Sequence, residues 1–453
     1  MGDLQGGVWQ PLPARRRRLL EAWSRYGPAR APTIWVSVPG RTELGGNHTD
    51  HQGGVVAAAA VDRDLVACAS PRDDDRVRVV SLGHEPVELS ILDLDAVPGD
   101  RESTVALVRG ALDGLRRRGH HLTGFDAVVH SQIGPGEGLS SSAAFTVLVT
   151  FLAELLGDVE PDPVLAAQVA QFAEQTHFGK PCGLMDQLAC AVGGAALFDF
   201  FDPRHPGIHP VPLPLSQLGY SLVLLDTGST HHDLTAEYAA IPADMERVAH
   251  QLGRTRLVDV DPDILHRRLP DLRRSVGDRA VLRALHFVAE TERVRAQGEA
   301  LADGDLGRFL GLVHASGLSS WTLLQNVTPK TSISQTLTPQ TLSSERRVDE
   351  QRADEQRADE HRVDEHRVDE QSVALALAVT QRALQQLCAT ENVGPGVCRV
   401  HGGGFAGRIQ IFLPSPLVPA LGRELAPLFG DGACLETTIR PHGAVFCRED
   451  EMG

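Results

Sequence analysis

Three glycines and three hydroxyls stand directly ahead of an apolar run in Gly134-Pro-Gly136-Glu-Gly138-Leu139-Ser140-Ser141-Ser142-Ala143-Ala144-Phe145. The residues before them, Phe125–Ser131, read as a strand. Strand, glycine loop and helix start form a layout that can hold a phosphate. Glycine lets the backbone approach an anion closely. The first free N–H groups of the helix point at that anion, and the helix dipole favours negative charge there. Serine hydroxyls can add hydrogen bonds or ligate magnesium. The stretch is neither a Walker loop nor a dinucleotide fingerprint, because it carries no G-x-x-x-x-G-K-[ST] and its glycines run G-x-G-x-G. Taken alone, it also reads as an ordinary serine-capped helix after a flexible turn.

Three other stretches carry chemistry. Gly40-Arg41-Thr42-Glu43-Leu44-Gly45-Gly46-Asn47-His48-Thr49-Asp50-His51 follows a strand and packs Arg, Glu, Asn, two His and Asp into a dozen residues. That density suits a polyhydroxylated ligand, since each hydroxyl wants a donor and an acceptor; a surface loop rich in turn residues is the other reading. Phe178–Gln187 leads into a helix and sets Asp186 among Leu184, Met185, Leu188 and Ala189, as either a buried, paired carboxylate or a cap. Glu174, on the preceding helix, is either a magnesium ligand or a solvated residue. His401-Gly402-Gly403-Gly404-Phe405-Ala406-Gly407 lies between two strands, and permits close packing against a ligand or marks a hairpin tip.

The elements that must position these residues are short and mixed. Strands are expected at Thr33–Val38, ended by Pro39-Gly40, and at Leu65–Ala69, Arg76–Leu82, Val87–Leu92, Ala195–Phe201, Tyr220–Asp226, Val397–His401 and Arg408–Phe412, with a final strand at Cys434–Ile439. Helices are expected at Val105–Arg118, Ser140–Leu156, Pro163–His177, Met185–Val192, Asp233–Leu252, Val281–Gln297, Leu306–Leu318 and Val373–Cys388. This mixture predicts an α+β architecture rather than a doubly wound sheet. Pro212–Pro214 marks a boundary between residues 1–213 and 214–453. Residues 328–371 form a low-complexity insertion ending in five pentapeptides of the type Arg-Val-Asp-Glu-Gln. A period of five fits neither helix nor strand, so no apolar face arises. His361 and His366 within it are bystanders.

The chain has 453 residues, 42% hydrophobic and 23% charged, with a net charge of −16. An acidic balance excludes nucleic acid as the main partner, because phosphate binding needs a basic face. The Arg15–Arg18 run reads as one exposed helix face rather than a nucleic-acid arm. Leu19-Leu20-Glu21-Ala22-Trp23 after it is too short and polar for a signal peptide's core, and no apolar stretch reaches membrane-spanning length. Seven scattered cysteines with no C-x-x-C signal neither a disulfide framework nor a zinc site, and a reducing cytoplasm fits them.

Jointly these motifs resemble the GHMP small-molecule kinases. Gly40–His51 is similar to the galactokinase-type signature G-R-x-N-[LIV]-I-G-E-H-x-D-Y, Gly136–Ala143 to the family's G-x-G-L-S-S-S-A phosphate loop, Cys182–Gln187 to C-G-x-M-D-Q, and His401–Gly407 to its carboxy-terminal glycine motif. The resemblance implies an amino-terminal domain like the ribosomal S5 type, a ferredoxin-like carboxy-terminal domain, and a site between them. It implies ATP-dependent phosphorylation of a sugar's anomeric C1 hydroxyl, galactose first. A monomer without nucleic-acid or membrane partners is expected. Asp186 matches the catalytic aspartate and Arg41 the arginine paired with it. Asn47, His48, Asp50, Gly183 and Tyr238 fall at sugar contacts. Gly136, Gly138, Leu139, Ser140, Ser141 and Ser142 match the ATP phosphate cradle, with Ser142 or Ser141 and Glu174 near magnesium. The chain departs from the signature at Glu43, Asn47 and His51, where the family has Asn, Glu and Tyr. The alternatives are a kinase for arabinose, an N-acetylhexosamine or a uronic acid, and a catalytically silent sugar and ATP sensor.

Overall fold

A large mixed sheet and a smaller antiparallel one organise the chain in a computed structural model that describes residues 3–5, 8–134, 137–229, 234–328 and 371–451. Strands β1 (Asp3–Gln5) and β2 (Val8–Gln10) pair ahead of helix α1 (Pro13–Tyr26). The long antiparallel pair β3 (Ile34–Gly45) and β4 (Val55–Pro71) follows, then β5 (Arg76–Ser81), β6 (Val87–Ser90), α2 (Thr104–Arg117) and β7 (Phe125–Ser131). Helices α3 (Ser141–Leu156), α4 (Pro163–Phe172) and α5 (Met185–Val192) come next, then β8 (Ala195–Asp199) and β9 (Gly207–Val211). The second half holds β10 (Tyr220–Asp226), α6 (Thr235–Gln251), α7 (Pro262–Arg267), α8 (Leu269–Val276), α9 (Asp278–Ala302) and α10 (Leu306–Ser319). It closes with α11 (Ser372–Glu391), β11 (Val397–Val400), β12 (Arg408–Pro414), α12 (Val418–Phe429), β13 (Cys434–Thr437) and β14 (Val445–Arg448). The larger sheet runs β14-β3-β4-β7-β5-β6, with β8 on β4 and β9 on β8; the smaller runs β11-β12-β10-β13.

Four sequence expectations need correction. The first strand does not stop at Pro39-Gly40 but runs on to Gly45, with register shifts at Pro39/Arg41 and Glu43/Gly45. Proline cannot donate to the ladder, so the strand passes it through an irregularity instead of ending. Arg41 and Glu43 therefore stand on a strand paired with Ala60 and Ala58. The helix expected to His177 gives way at Ala173–Phe178 to one π-turn. Cys434–Thr437 is not the last strand, since Val445–Arg448 returns to pair with Ile34–Ser37. The Arg15–Arg18 run is not one exposed face: Arg15 is buried and ion-paired with Asp64, and Arg16 pairs with Glu449 and lies over the Trp35 ring. Only distant partners reveal that, and Asp64 also takes Arg440 Nη1 at 2.8 Å.

Past its opening serines, helix α3 is apolar on nearly every side, with Thr146, Thr150 and Glu154 the exceptions, which marks a helix sunk in the core. From Ala143 to Leu156 each of its residues is buried. It packs with α2, α4, α5 and the larger sheet in one apolar cluster, while α11 and α12 cover the smaller sheet in another. Leu44, Val55, Ala57 and Ala59 share a third cluster with Leu222, Phe309 and Phe412, so the two halves meet through apolar surface. Residues 329–370 of the long insertion lie outside the described residues.

Candidate active site

Asp186 enters the site on the first turn of α5, where the helix dipole favours a negative charge. Arg41 Nε donates to its Oδ1 at 2.7 Å, and Ser140 Oγ donates to its Oδ2 at 2.7 Å. Arg41 also donates Nη1 to the Gly138 carbonyl at 2.7 Å, and its backbone N–H reaches the Leu139 carbonyl at 3.2 Å. Strand β3 thus ties the glycine turn to the carboxylate. Burial alone would raise the Asp186 pKa. The Arg41 and Lys180 charges and the two hydrogen bonds outweigh it and hold the carboxyl well below its usual range. Ser140 reaches Asp186 from a left-handed backbone (φ 57°, ψ 52°), a conformation that costs a serine roughly 1–2 kcal/mol. Gly138, at φ 71°, makes the turn before it. Ser141 and Ser142 begin α3, Leu139 is buried beneath them, and Gly136 lies outside the described residues.

The polar stretch continues past β3 into a tight turn. Asn47 is fully buried, and its side chain is occupied by protein. Its Nδ2 donates to Glu43 Oε1 and Oε2 (2.9 and 3.1 Å) and to the Gly402 carbonyl (2.5 Å), while its Oδ1 accepts from Asn326 Nδ2 (2.5 Å). Glu43 in turn accepts from Arg399 Nη2 at 2.7 Å, a guanidinium with no exposed surface. The departures at 43 and 47 are therefore one feature: acid and amide have exchanged places, and they touch. His48, at φ 57°, donates Nε2 to the Gly403 carbonyl at 3.0 Å, and burial lowers its pKa to about 4. Asp50 Oδ1 accepts from the His51 N–H at 2.9 Å. Burial first, and then the Asp186 charge, raise the Asp50 pKa to about 6. A Cβ at Gly183 would overlap the Asp50 carboxylate, so this glycine is what lets the two loops meet. Both ring nitrogens of His51 are buried without partners, and burial lowers its pKa to about 3. Tyr238, on α6, donates to the Gly404 carbonyl at 2.7 Å and stacks edge-on against Phe405 with centroids 5.4 Å apart.

Glu174 sits in the π-turn, and none of its surface is exposed. Gln187 Nε2 donates to its Oε2 at 2.7 Å and Lys180 Nζ lies 3.6 Å away, while its Oε1 is buried without a partner. An unmatched carboxylate oxygen fits a cation. Among the described residues no three His, Cys, Asp or Glu side chains gather as a metal site, so any cation here would draw its remaining ligands from hydroxyls, water and phosphate. Sequence reasoning missed Arg399, Asn326, Glu290 and His286. Arg399 stands on a generic strand, His286 and Glu290 on a generic helix and Asn326 in the loop after Leu324, and nothing in their spacing marks them.

The amino-terminal half carries the two family-level matches. The description "GHMP kinases N terminal domain" fits residues 106–194, and "Galactokinase galactose-binding signature" fits residues 24–71. Galactokinase of Streptomyces coelicolor is 36% identical over 301 residues, spanning 65% of this chain and 75% of that one. Galactokinase of Chloroflexus aurantiacus is 36% identical over 298 residues, 64% and 73% of the two chains. In three dimensions the chain is similar to Lactococcus lactis galactokinase complexed with galactose, at a TM-score of 0.74 and 20% identity, covering 96% of this chain and 100% of that one. It is also similar to Methanococcus jannaschii mevalonate kinase, at a TM-score of 0.56 and 12% identity, covering 91% and 99%. At those identities the solved structures speak for the fold alone.

Proposed function

The chain belongs to the galactokinase family of GHMP kinases, and from that premise we propose that it transfers the γ-phosphoryl group of ATP to the C1 hydroxyl of galactose. One observation supports this reading above the rest. A carboxylate held ionised by Arg41 and Ser140 stands against a glycine-serine turn at a helix start, so an acceptor site adjoins a phosphate site. Phosphoryl transfer asks little covalent work of a protein; it asks for positioning and charge stabilisation. Asp186 orients the C1 hydroxyl with the lone pairs that Arg41 and Ser140 leave over. A carboxylate held so acidic is a weak base, and a loose transition state needs little proton removal in advance. Asp186 therefore takes the proton as the new P–O bond forms. Arg41 offsets charge developing on the phosphoryl group.

Gly138, Leu139, Ser140, Ser141 and Ser142 cradle the phosphates, together with Gly136. Asn47 shapes the sugar side, where His48, Asp50, Gly183 and Tyr238 line the recognition surface. When bound, magnesium would neutralise phosphate charge, and Glu174 Oε1 and the Ser142 hydroxyl would hold it. The proposal extends to a cytoplasmic monomer; its seven cysteines are all unpaired, and no described helix is long and apolar enough to cross a membrane.

Purified protein with MgATP and a panel of free sugars tests the reading through ADP release. Galactose is expected to give the highest kcat/KM, and no galactose-dependent ADP would overturn the assignment. Asp186→Asn is expected to keep its fold and ADP affinity while kcat falls about 10²–10⁴-fold. Near-normal turnover in that variant would remove Asp186 from the mechanism.

A further inference from the structure

Three buried side-chain nitrogens beside the glycine turn, Nε and Nη1 of Arg408 and Nδ1 of His401, have no partner. Arg408 opens β12 with 7% of its surface exposed. Its Nη2 donates to Asp226 Oδ2 at 3.2 Å and lies 3.8 Å from Glu137 Oε1. Its Nε and Nη1 are buried and unmatched. His401 follows β11, and its backbone N–H donates to the Arg408 carbonyl at 3.2 Å, so the two residues face each other across the mouth of the hairpin. His401 Nδ1 is also buried and unmatched. The neighbours decide which ring nitrogen carries the proton. Thr42 Oγ1 accepts the Gln410 amide hydrogen at 2.7 Å and lies 3.0 Å from His401 Nε2; the tautomer with its proton on Nδ1 takes the Thr42 hydroxyl proton at Nε2 and turns its own N–H toward the glycine turn. Burial, with Arg41, Arg399 and Arg408 nearby, keeps this ring neutral.

Both residues abut the same glycine. A Cβ built at Gly138 would stand 3.2 Å from His401 Nδ1 and 4.0 Å from Arg408 Cβ. Gly138 is also the residue whose carbonyl Arg41 holds. Dry, unmatched donors, one of them charged, are costly to keep, and the partner that offsets the cost is an acceptor bearing negative charge. Asp226 and Glu137 engage Nη2 alone, which leaves Nε and Nη1 for that acceptor.

We propose that His401 and Arg408 bind a phosphate oxygen of the nucleotide, closing the phosphate site from the carboxy-terminal half opposite the Gly138–Ser142 turn. This rests on the reading of that turn as the nucleotide's phosphate cradle. Neither residue moves a proton; both donate hydrogen bonds to the polyphosphate and leave the sugar untouched.

The test separates nucleotide from sugar. Arg408→Met is expected to raise the KM for MgATP at least tenfold, leave the KM for galactose within twofold, and weaken the thermal protection given by ADP or inorganic pyrophosphate. Its ligand-free Tm should hold, because the loss of the ion pair to Asp226 is offset by the removal of two buried, unmatched donors. His401→Phe should shift the MgATP KM in the same direction. Arg408→Lys, which keeps the charge without the fork, should do so less. A folded Arg408→Met with unchanged MgATP KM and unchanged ADP protection overturns the proposal. Should that variant fail to fold, the unmutated protein decides: the ¹⁵N resonance of Arg408 Nε, assigned by its loss in Arg408→Lys, should move on adding ADP, and an unmoved signal overturns the proposal. Absence of any galactose phosphorylation by the unmutated protein would remove the underlying reading itself. Normal turnover with an unaffected Arg408→Met removes this inference alone.

Discussion

Asp50 and Asp186 are two carboxylates of one site pushed apart by their neighbours. Asp186 gains Arg41, Lys180 and Ser140, and stays ionised through the acid range. Asp50 gains burial and the Asp186 charge, and titrates near 6. The sign follows. As pH falls through about 6, Asp50 takes up a proton and, in the sugar-binding role proposed for it, loses an acceptor for sugar hydroxyls. Galactose kcat/KM should therefore drop on the acid side of 6, while kcat at saturating sugar stays level. Asp50→Asn should give a low and flat profile. A pH series from 5 to 8 checks both, and a level kcat/KM in the unmutated protein would exclude Asp50 as the titrating group. Arg41, His48 and Asp50 could be singled out in the sequence because they crowd into one polar stretch after a strand, and Asp186 because it is a lone carboxylate among apolar residues. The coupling of Glu43 to Asn47 was not. Their contact is settled by Arg399 and Asn326, hundreds of positions further along the chain.

Helix α9 grips the turn that carries those residues. Glu290 Oε1 accepts the Gly46 N–H at 3.0 Å, and His286 Nε2 donates to the Asn47 carbonyl at 2.9 Å. The two side chains are one helical turn apart and fully buried. Glu290→Ala should destabilise the protein by about 1–3 kcal/mol, since Gly46 is left with a buried, unmatched N–H. It should also raise the KM for galactose more than that for MgATP, and Glu290→Gln should recover most of both losses. Paired KM measurements with a thermal melt read this out. On α3, Glu154 has both carboxylate oxygens buried without partners, with His120 Nδ1 4.0 Å away. Burial, helped by the Asp162 charge, raises its pKa to about 8. The folded state thus keeps a proton that the unfolded state loses near pH 4.3. The stability this proton provides is complete below that value and is lost as pH rises through 8. Glu154→Gln should flatten the decline of Tm between pH 5 and 8, and an equally steep decline in the variant would show that another group causes it. The periodicity of α3 announced a helix, but an acid at one of its buried positions gave no sign of its surroundings.

Across the whole molecule, the chain leaves one half and comes back to it. Strand β14 lies on β3, Ile439 bridges to Val61, and Arg440 reaches Ser37 and Asp64. A cut at the proline boundary would therefore strip the larger sheet of an edge strand. The insertion behaves in the opposite way. Thr328 Oγ1 lies 3.4 Å from Gln371 Oε1, so the chain leaves and re-enters at one place. Replacing residues 329–370 with a short Gly-Ser linker should leave kcat and both KM values within about twofold. It should stabilise the fold by about 2 kcal/mol, because each halving of a loop returns about 0.6 kcal/mol of closure entropy. A large loss of activity in the shortened protein would give the repeat a role in catalysis.

The sequence by itself determined the repertoire: a glycine-serine turn at a helix start, a polar stretch after a strand, a lone aspartate in an apolar helix, and an α+β alternation. These signals are local, carried by residue type and by spacings of two and of three to four, so they survive without coordinates. Tertiary structure alone decided which groups meet. Ser140 on Asp186, Arg399 on Glu43, Glu290 on Gly46, and His401 with Arg408 against Gly138 are contacts between distant segments. The physical reason is that burial and charge pairing depend on distance in space. One carboxylate is held acidic and another is pushed up to about 6 by surroundings that sequence order does not place beside them.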